Sequence, residues 1–450
     1  MRSPAIQFGI HDIRLHVPSP RIGLESIVSR RVLEDPRLAR HLERACRTTG
    51  QKAIRFPEPW EDSITMAAQA SLSLMQGNPN LDPKSIRHLA VGTESGMDHS
   101  KAASAWLQGM LHRAGFALPA SLSSFQVQHA CAGGTMAMLA AGGLLLAGGR
   151  PEQTAIVAAS DIARYETAST AEVTQGAGAA AMLLGSSPRL LSIDLATVGY
   201  FSADVDDFFR PIGAPTARVK GSYSMKCYWD SLEAAFLDHC RLAGEDPTER
   251  LAGTDFFALH TPFRNMPETA LNRLLERRLG LDAEGIRTFL LSRGFYEGID
   301  PIAEIGNLYT ASLWTVVAFL LANRYQTLGE DIVGKRMLLA SYGSGNTMVV
   351  MSARVEAQAP RVIESWNLER VFESGRDASF EEYARWAEGS PSVREYDALI
   401  DQAALPSGSF FLAGIREDGY REYRKAEELG TWIEQRDASR SLRRPLALQD

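Results

Sequence analysis

Cys131 lies in QHACAGGTMAM, where an apolar strand gives way to a helix, and a thiol at such a junction can act as a nucleophile. The first helical turn leaves backbone N–H groups unpaired and carries the positive end of the helix dipole; both favour a thiolate. Its small neighbours Ala130, Ala132, Gly133 and Gly134 leave room for a substrate. The alternative is a buried structural cysteine, the common fate of a free thiol. His260 closes the apolar strand FFALH just before Thr261-Pro262 turns the chain out of a sheet. Such an end can open into an active-site crevice, and a capping or core histidine fits equally well. Asn307, in GNLYTAS, reads as a site residue or as a plain turn or N-cap. Glu94, in VGTES, reads as a general base or as an exposed turn residue. Cys46, Cys227 and Cys240 sit among charged, helix-like residues and read as structural.

These residues need elements to place them. Apolar runs at Leu89–Val91, SSFQVQHA, TAIVAAS, AGAAAMLLGS, TDFFALH and KRMLLAS predict strands, as does the alternation around Phe8 and Ile10. Helical spacing marks LEDPRLARHLERACR, Ser63–Met75, Lys101–Ala114 and SFEEYARWAEG. Strands alternating with helices predict an α/β architecture. Two stretches, Cys131–Gly149 and Leu308–Asn323, contain no acidic or basic side chain. Both are expected to be core helices apolar all round, rather than membrane spans. The second half thus echoes the first, each with a buried helix whose start carries a chemically useful residue. We divide the chain into halves at 1–190 and 191–450, with no Pro-, Gly- or Ser-rich linker between them. Beyond Val355 the sequence is charged and irregular, and RDASRSLRRPLALQD is expected to be an exposed tail.

With 45% hydrophobic and 22% charged residues, the 450-residue chain has an ordinary soluble composition. A net charge of −7 gives no reason to expect nucleic acid or an anionic membrane as partner. Four cysteines without a CxxC pair make neither a disulfide framework nor a zinc or redox motif, and a reducing cytoplasm fits. The first twenty residues carry charges and prolines where a signal peptide needs an apolar stretch. No metal-ligand spacing, Walker motif or dinucleotide fingerprint is present, and the Gly-rich YGSGN and QGAGAA need only be tight turns.

Taken in order, TGQKAIRFPEPWEDSITMAA, VGTESGMDHSKA, QHACAGGTMAM, ASDIARYETASTAEVTQGAGAAAML, DDFFRPIG, HTPFRNM, GNLYTAS and YGSGN resemble the hydroxymethylglutaryl-CoA synthase family over roughly residues 5 to 390. The resemblance implies a thiolase-like, five-layered αβαβα fold of two pseudo-symmetric halves, working as a cytoplasmic homodimer in the mevalonate pathway. It implies that Cys131 carries an acetyl group, Glu94 removes a methyl proton from it, and His260 assists the ketone of acetoacetyl-CoA, with Asn307 orienting that acceptor. Ser344 and Gly345, with Tyr342 beside them, would supply an oxyanion-hole amide, and Asp161, Asp207 and Phe208 would line the site. The thioesters are substrates, so no resident cofactor or metal is expected. A carboxylate base separates this reaction from decarboxylating type III β-ketoacyl-ACP synthases, which use Cys, His and Asn alone. Two positions depart from the family. Ala132 replaces an aromatic residue, which would enlarge the site near the acetyl group. Asn265 replaces a Lys near the CoA phosphates, where Arg264 would substitute. A weaker CoA clamp would also suit an acyl-carrier protein as the substrate's carrier. A non-catalytic subunit of the same fold is disfavoured by the presence of all four chemical residues.

Overall fold

The computed structural model describes residues 7–389 and 393–442. Ten strands are joined by hydrogen bonds, nine of them in one path: β1 (Phe8–His16), β2 (Ile86–Gly92), β3 (Ser123–Val127), β4 (Thr154–Ala163), β5 (Gly176–Ser186), β6 (Leu191–Ile193), β7 (Gly199–Ser202), β8 (Phe256–Leu259), β9 (Arg336–Gly343) and β10 (Thr347–Val355). Their order is β8-β9-β10-β6-β1-β5-β4-β2-β3, with β7 also paired to β10. Pairing of β2 with β3 and with β4, and of β8 with β9, is parallel. The short strand β6 is the seam, pairing with β1 on one side and β10 on the other.

The helices that matter for the site are α1 (Leu24–Glu34), α2 (Ala39–Thr49), α3 (Ser63–Gly77), α4 (Ala103–Arg113), α5 (Gly133–Gly148), α6 (Gly221–Ala243), α7 (Asn265–Leu279), α8 (Ser312–Leu328) and α9 (Phe380–Glu388). In β2, β4 and β5 successive residues face opposite ways. Leu89, Ile156, Ala158, Ala179 and Ala181 share a core with α3 and α4. Ala90, Val157, Ala159, Ala180 and Met182 share another with α5, α8 and the second-half strands. Helix α6 packs on β7 and β10, and α8 along β8 and β9. The layers are therefore helices, sheet, the pair α5 and α8, sheet, helices: the five-layered αβαβα arrangement expected.

One expectation fails. Helix α8 is buried over most of its length, but α5 is not apolar and buried all round. Ala140, Gly143, Leu144 and Ala147 form an exposed stripe, with Leu144 46% accessible. Ala130–Gly148 is long and apolar enough to cross a membrane, yet 56% of it is buried, against β2 and β4. Its lack of charge thus reflects one face in the core and one apolar face left open.

The residues after Val355 are more ordered than their composition suggests. They form α9, opened by a Ser379/Glu382 capping box, and a hairpin of β11 (Phe410–Ile415) and β12 (Arg421–Lys425). Residues 429–442 of the last segment are helical, and 443–450 lie outside the described residues.

Candidate active site

Strand β2 ends at Gly92, and the chain turns through Thr93 to Glu94. The N-terminal turn of α5 lies against that strand end. A Cβ on Gly92 would sit 2.4 Å from the Gly134 backbone, so two glycines allow an approach that side chains would block. Asp161, wholly buried near the end of β4, gathers the surrounding loops. It accepts hydrogen bonds from the Glu94 and Ser95 amides at 2.9 Å, the Thr93 hydroxyl at 2.8 Å and the Thr310 amide at 3.0 Å. The lead-in of α8 is thereby tied to the Glu94 turn, and Cys131 Sγ lies 3.2 Å from Glu94 Oε1.

The electrostatics differ from a simple helix-start thiolate. Burial first, then the Glu94 carboxyl, push the Cys131 thiol well above its ordinary range. Desolvation on the cleft floor, reinforced by Asp161, raises Glu94 to about 8, against opposing pulls from Cys131 and Arg210. The resting pair is thus a protonated thiol beside a protonated acid, because neither charge is solvated there. His260, buried at the end of β8, is lowered to about 3 by desolvation, so its imidazole is neutral and offers an N–H donor rather than an imidazolium.

Asp207 organises the other side. It accepts from the Tyr342 hydroxyl at 2.8 Å and the Gly345 amide at 2.9 Å. Tyr342 packs edge-on to Tyr228 at 5.1 Å, and the Tyr228 hydroxyl donates to the His260 carbonyl at 2.8 Å. The turn carrying Ser344 and Gly345 closes on the nucleophile segment, since a Cβ on Gly343 would meet the His129 carbonyl at 2.4 Å. Ala132, fully buried, points at Gly343. Its small size lets this turn approach instead of enlarging the acyl pocket.

Asn307 is buried, and its side-chain oxygen accepts from the Tyr309 amide at 2.9 Å. Phe208 joins Cys131 in a small cluster with Tyr165 and Tyr309, whose rings meet edge-on at 5.8–6.4 Å. Tyr165 and Tyr309 were not singled out from sequence. Both stand beside residues or motifs that were, and a tyrosine inside an otherwise small or apolar buried run was the available signal. The Tyr309 hydroxyl is buried without a hydrogen-bond partner, and so is Nε of Arg164, which stacks on Trp386.

Arg264, expected to substitute for the family's Lys, and Asn265, which replaces that Lys, both have partners within the chain. The Arg264 guanidinium is paired with Glu268 and, at 2.9 Å, with Asp300, so its charge is balanced by carboxylates of the chain itself. Asn265 caps α2 instead, its amide reaching the Thr48 carbonyl at 3.1 Å. Access is by a cleft of about 3060 Å³ that reaches Glu94, Ala130 and the Ser344–Gly345 turn and is walled by Phe208–Pro215 and the C-terminal segment. Among the described residues no cluster of three or more His, Cys, Asp or Glu side chains could hold a metal ion.

A buried thiol facing a carboxyl group, at the start of a core helix between two sheets, defines a thiolase-like acyl-transferring enzyme. The chain belongs to the hydroxymethylglutaryl-CoA synthase family: the N-terminal domain of that synthase matches residues 42–188 and its C-terminal domain residues 301–426. A hydroxymethylglutaryl-CoA synthase of Enterococcus faecalis is 32% identical over 75% of this chain and 80% of its own length. A solved structure described as MvaS in complex with 3-hydroxy-3-methylglutaryl coenzyme A superposes with a TM-score of 0.80 at 32% identity, covering 93% of this chain and 99% of that one. A polyketide biosynthesis 3-hydroxy-3-methylglutaryl-ACP synthase of Bacillus subtilis is 29% identical over 76% of this chain and 80% of its own.

Proposed function

We propose that the chain is a hydroxymethylglutaryl-CoA synthase in which Cys131, Glu94 and His260 carry the chemistry. The observation that supports this most directly is the 3.2 Å contact between Cys131 Sγ and Glu94 Oε1, with Cys131 packed among Tyr165, Phe208 and Tyr309 and Glu94 lining the cleft. Cys131 attacks the carbonyl of acetyl-CoA, the C–S bond to CoA breaks, and CoA leaves as the thiol with the proton from Cys131. We assign the amides of Cys131 and Ser344 to the acyl oxygen, since the Gly345 amide is taken by Asp207. Once the thiol is a thioester, Glu94 no longer faces a thiol proton. As a carboxylate it removes a proton from the acetyl methyl, and the carbanion bonds to the ketone carbon of acetoacetyl-CoA. The neutral His260 gives its N–H proton to the developing alkoxide, the proton that Glu94 removed restores the neutral imidazole, and Asn307 orients the acceptor. Water then cleaves the Cys131 thioester, regenerating the thiol and releasing a carboxylic acid that gives its proton to solvent. The scheme uses thioesters and water, with no resident cofactor or metal.

Acyl-carrier protein is the second reading for the donor's carrier, favoured by the balanced charge of Arg264 and the Bacillus relative. We further propose a cytoplasmic homodimer serving the mevalonate route. The open edge strand β3 and the bare stripe of α5 are the surfaces we assign to the second copy. Acetyl-CoA should leave a 42 Da adduct (roughly, one acetyl replacing one proton) on the Cys131 peptide, and acetoacetyl-CoA should convert it to a branched six-carbon product. An adduct on another cysteine would overturn the site. An acetylated Cys131 that yields no branched product would overturn the reaction.

A further inference from the structure

Beneath the aromatic wall of Cys131 runs a chain of hydrogen bonds that starts in the C-terminal segment. Arg31 of α1 reaches Glu172 with Nη2 at 2.9 Å, and the Ala168 amide donates to the same carboxylate at 2.7 Å. The Tyr383 hydroxyl of α9 donates to Glu172 Oε1 at 2.8 Å and accepts from Gln175 Nε2 at 2.7 Å. Gln175 Oε1 in turn accepts from the Tyr165 amide at 2.9 Å. Glu172, Gln175 and Tyr383 are wholly buried.

The polarity of this chain is determined from one end. A carboxylate only accepts, so Tyr383 spends its single O–H on Glu172 and offers its lone pair to Gln175. The Gln175 amide must then turn its NH2 toward Tyr383 and its oxygen toward Tyr165. The reverse orientation would bring two N–H groups face to face at Tyr165 with no water to relieve them.

We propose that Tyr383 is a positioning residue for the acyl pocket: through the orientation of the Gln175 amide it holds Tyr165 against Cys131. This rests on Cys131 being the acyl-carrying nucleophile. A side chain more than two hundred residues downstream of the nucleophile thus sets the geometry of its wall without touching substrate.

Tyr383→Phe removes one oxygen and keeps the ring. Two readouts are needed. The first is the rate at which iodoacetamide alkylates Cys131, followed by peptide mass mapping, which requires no thioester. The second is kcat and KM for condensation with acetoacetyl-CoA. We expect alkylation to speed up about threefold or more as the wall loosens, and kcat to fall about tenfold with KM nearly unchanged. In a Gln175→Met background, Tyr383→Phe should add nothing further, because the link it acts through is gone. Additive effects, or an unchanged alkylation rate in folded Tyr383→Phe, would overturn the proposal. If Gln175→Met does not fold, Glu172→Gln serves instead. Its amide can donate to the Tyr383 oxygen and reverse the chain, and it should match Tyr383→Phe in both readouts; a wild-type alkylation rate there would also overturn the proposal. A wild-type protein that alkylates at Cys131 yet forms no branched product sinks the condensation reading alone.

Discussion

At the scale of single residues, burial disfavours charge on Glu94, Cys131 and His260 alike. Glu94 at about 8, against an ordinary 4.5, retains its proton through neutral pH. The condensation rate should therefore climb as pH rises toward 8, while acetylation of Cys131 need not follow the same curve. Glu94→Ala should still acquire the acetyl group and lose condensation; near-native condensation would mean the carbanion arises another way. The same shift bears on stability. Between pH 4.5 and 8 the folded chain holds a proton that the unfolded chain has released, so stability falls as pH rises through that window. Glu94→Gln should flatten the fall, read as melting temperature against pH. His260, lowered to about 3 from 6.5, acts in the opposite direction. There the unfolded chain takes up a proton that the folded one refuses, and stability falls as pH drops from 6.5 toward 3. Cys131, Glu94, His260 and Asn307 stood out as candidates because each breaks an apolar or Gly-rich run at a strand or helix end, and their roles came from the family resemblance. The neutrality of the pair was not legible, since it depends on burial and on the Asp161 charge, both brought about by distant segments.

At the scale of elements, the site depends on how closely α5 can lie against β2. Gly92→Ala would drive a methyl into the Gly134 backbone, and we expect a loss of about 1–3 kcal/mol in denaturant unfolding. A loss near zero would mean the helix shifts freely. Strands and helices of the two sheets were readable from period and turn residues, because each buries one continuous face. The exposed stripe of α5 was misread: a sequence without charge looks the same whether its second face meets core or awaits another surface. What Asn265 does in place of the family's Lys was not legible for a related reason. A substitution at a ligand-binding position can be taken up by the nearest helix end, here the Thr48 carbonyl of α2.

At the scale of the whole molecule, the stripe on α5 and the edge strand β3 predict association. Leu144→Glu should shift the protein to monomer in sedimentation, with Cys131 still acylated if each subunit holds a complete site. A wild-type protein that is already monomeric would remove that assignment. The pairing of halves across β6 and the folding of the C-terminal segment over the cleft were the least legible features, because they rest on long-range contacts with no local period. That segment has a further consequence for the order of events in the cell. Roughly 250 residues separate Cys131 from Tyr383, so at ~5–20 residues per second the ribosome needs on the order of 10–50 s to supply the support of the acyl pocket after the nucleophile has been made. Premature termination before α9 would leave a truncated chain bearing the full set of chemical residues, with Tyr165 unsupported.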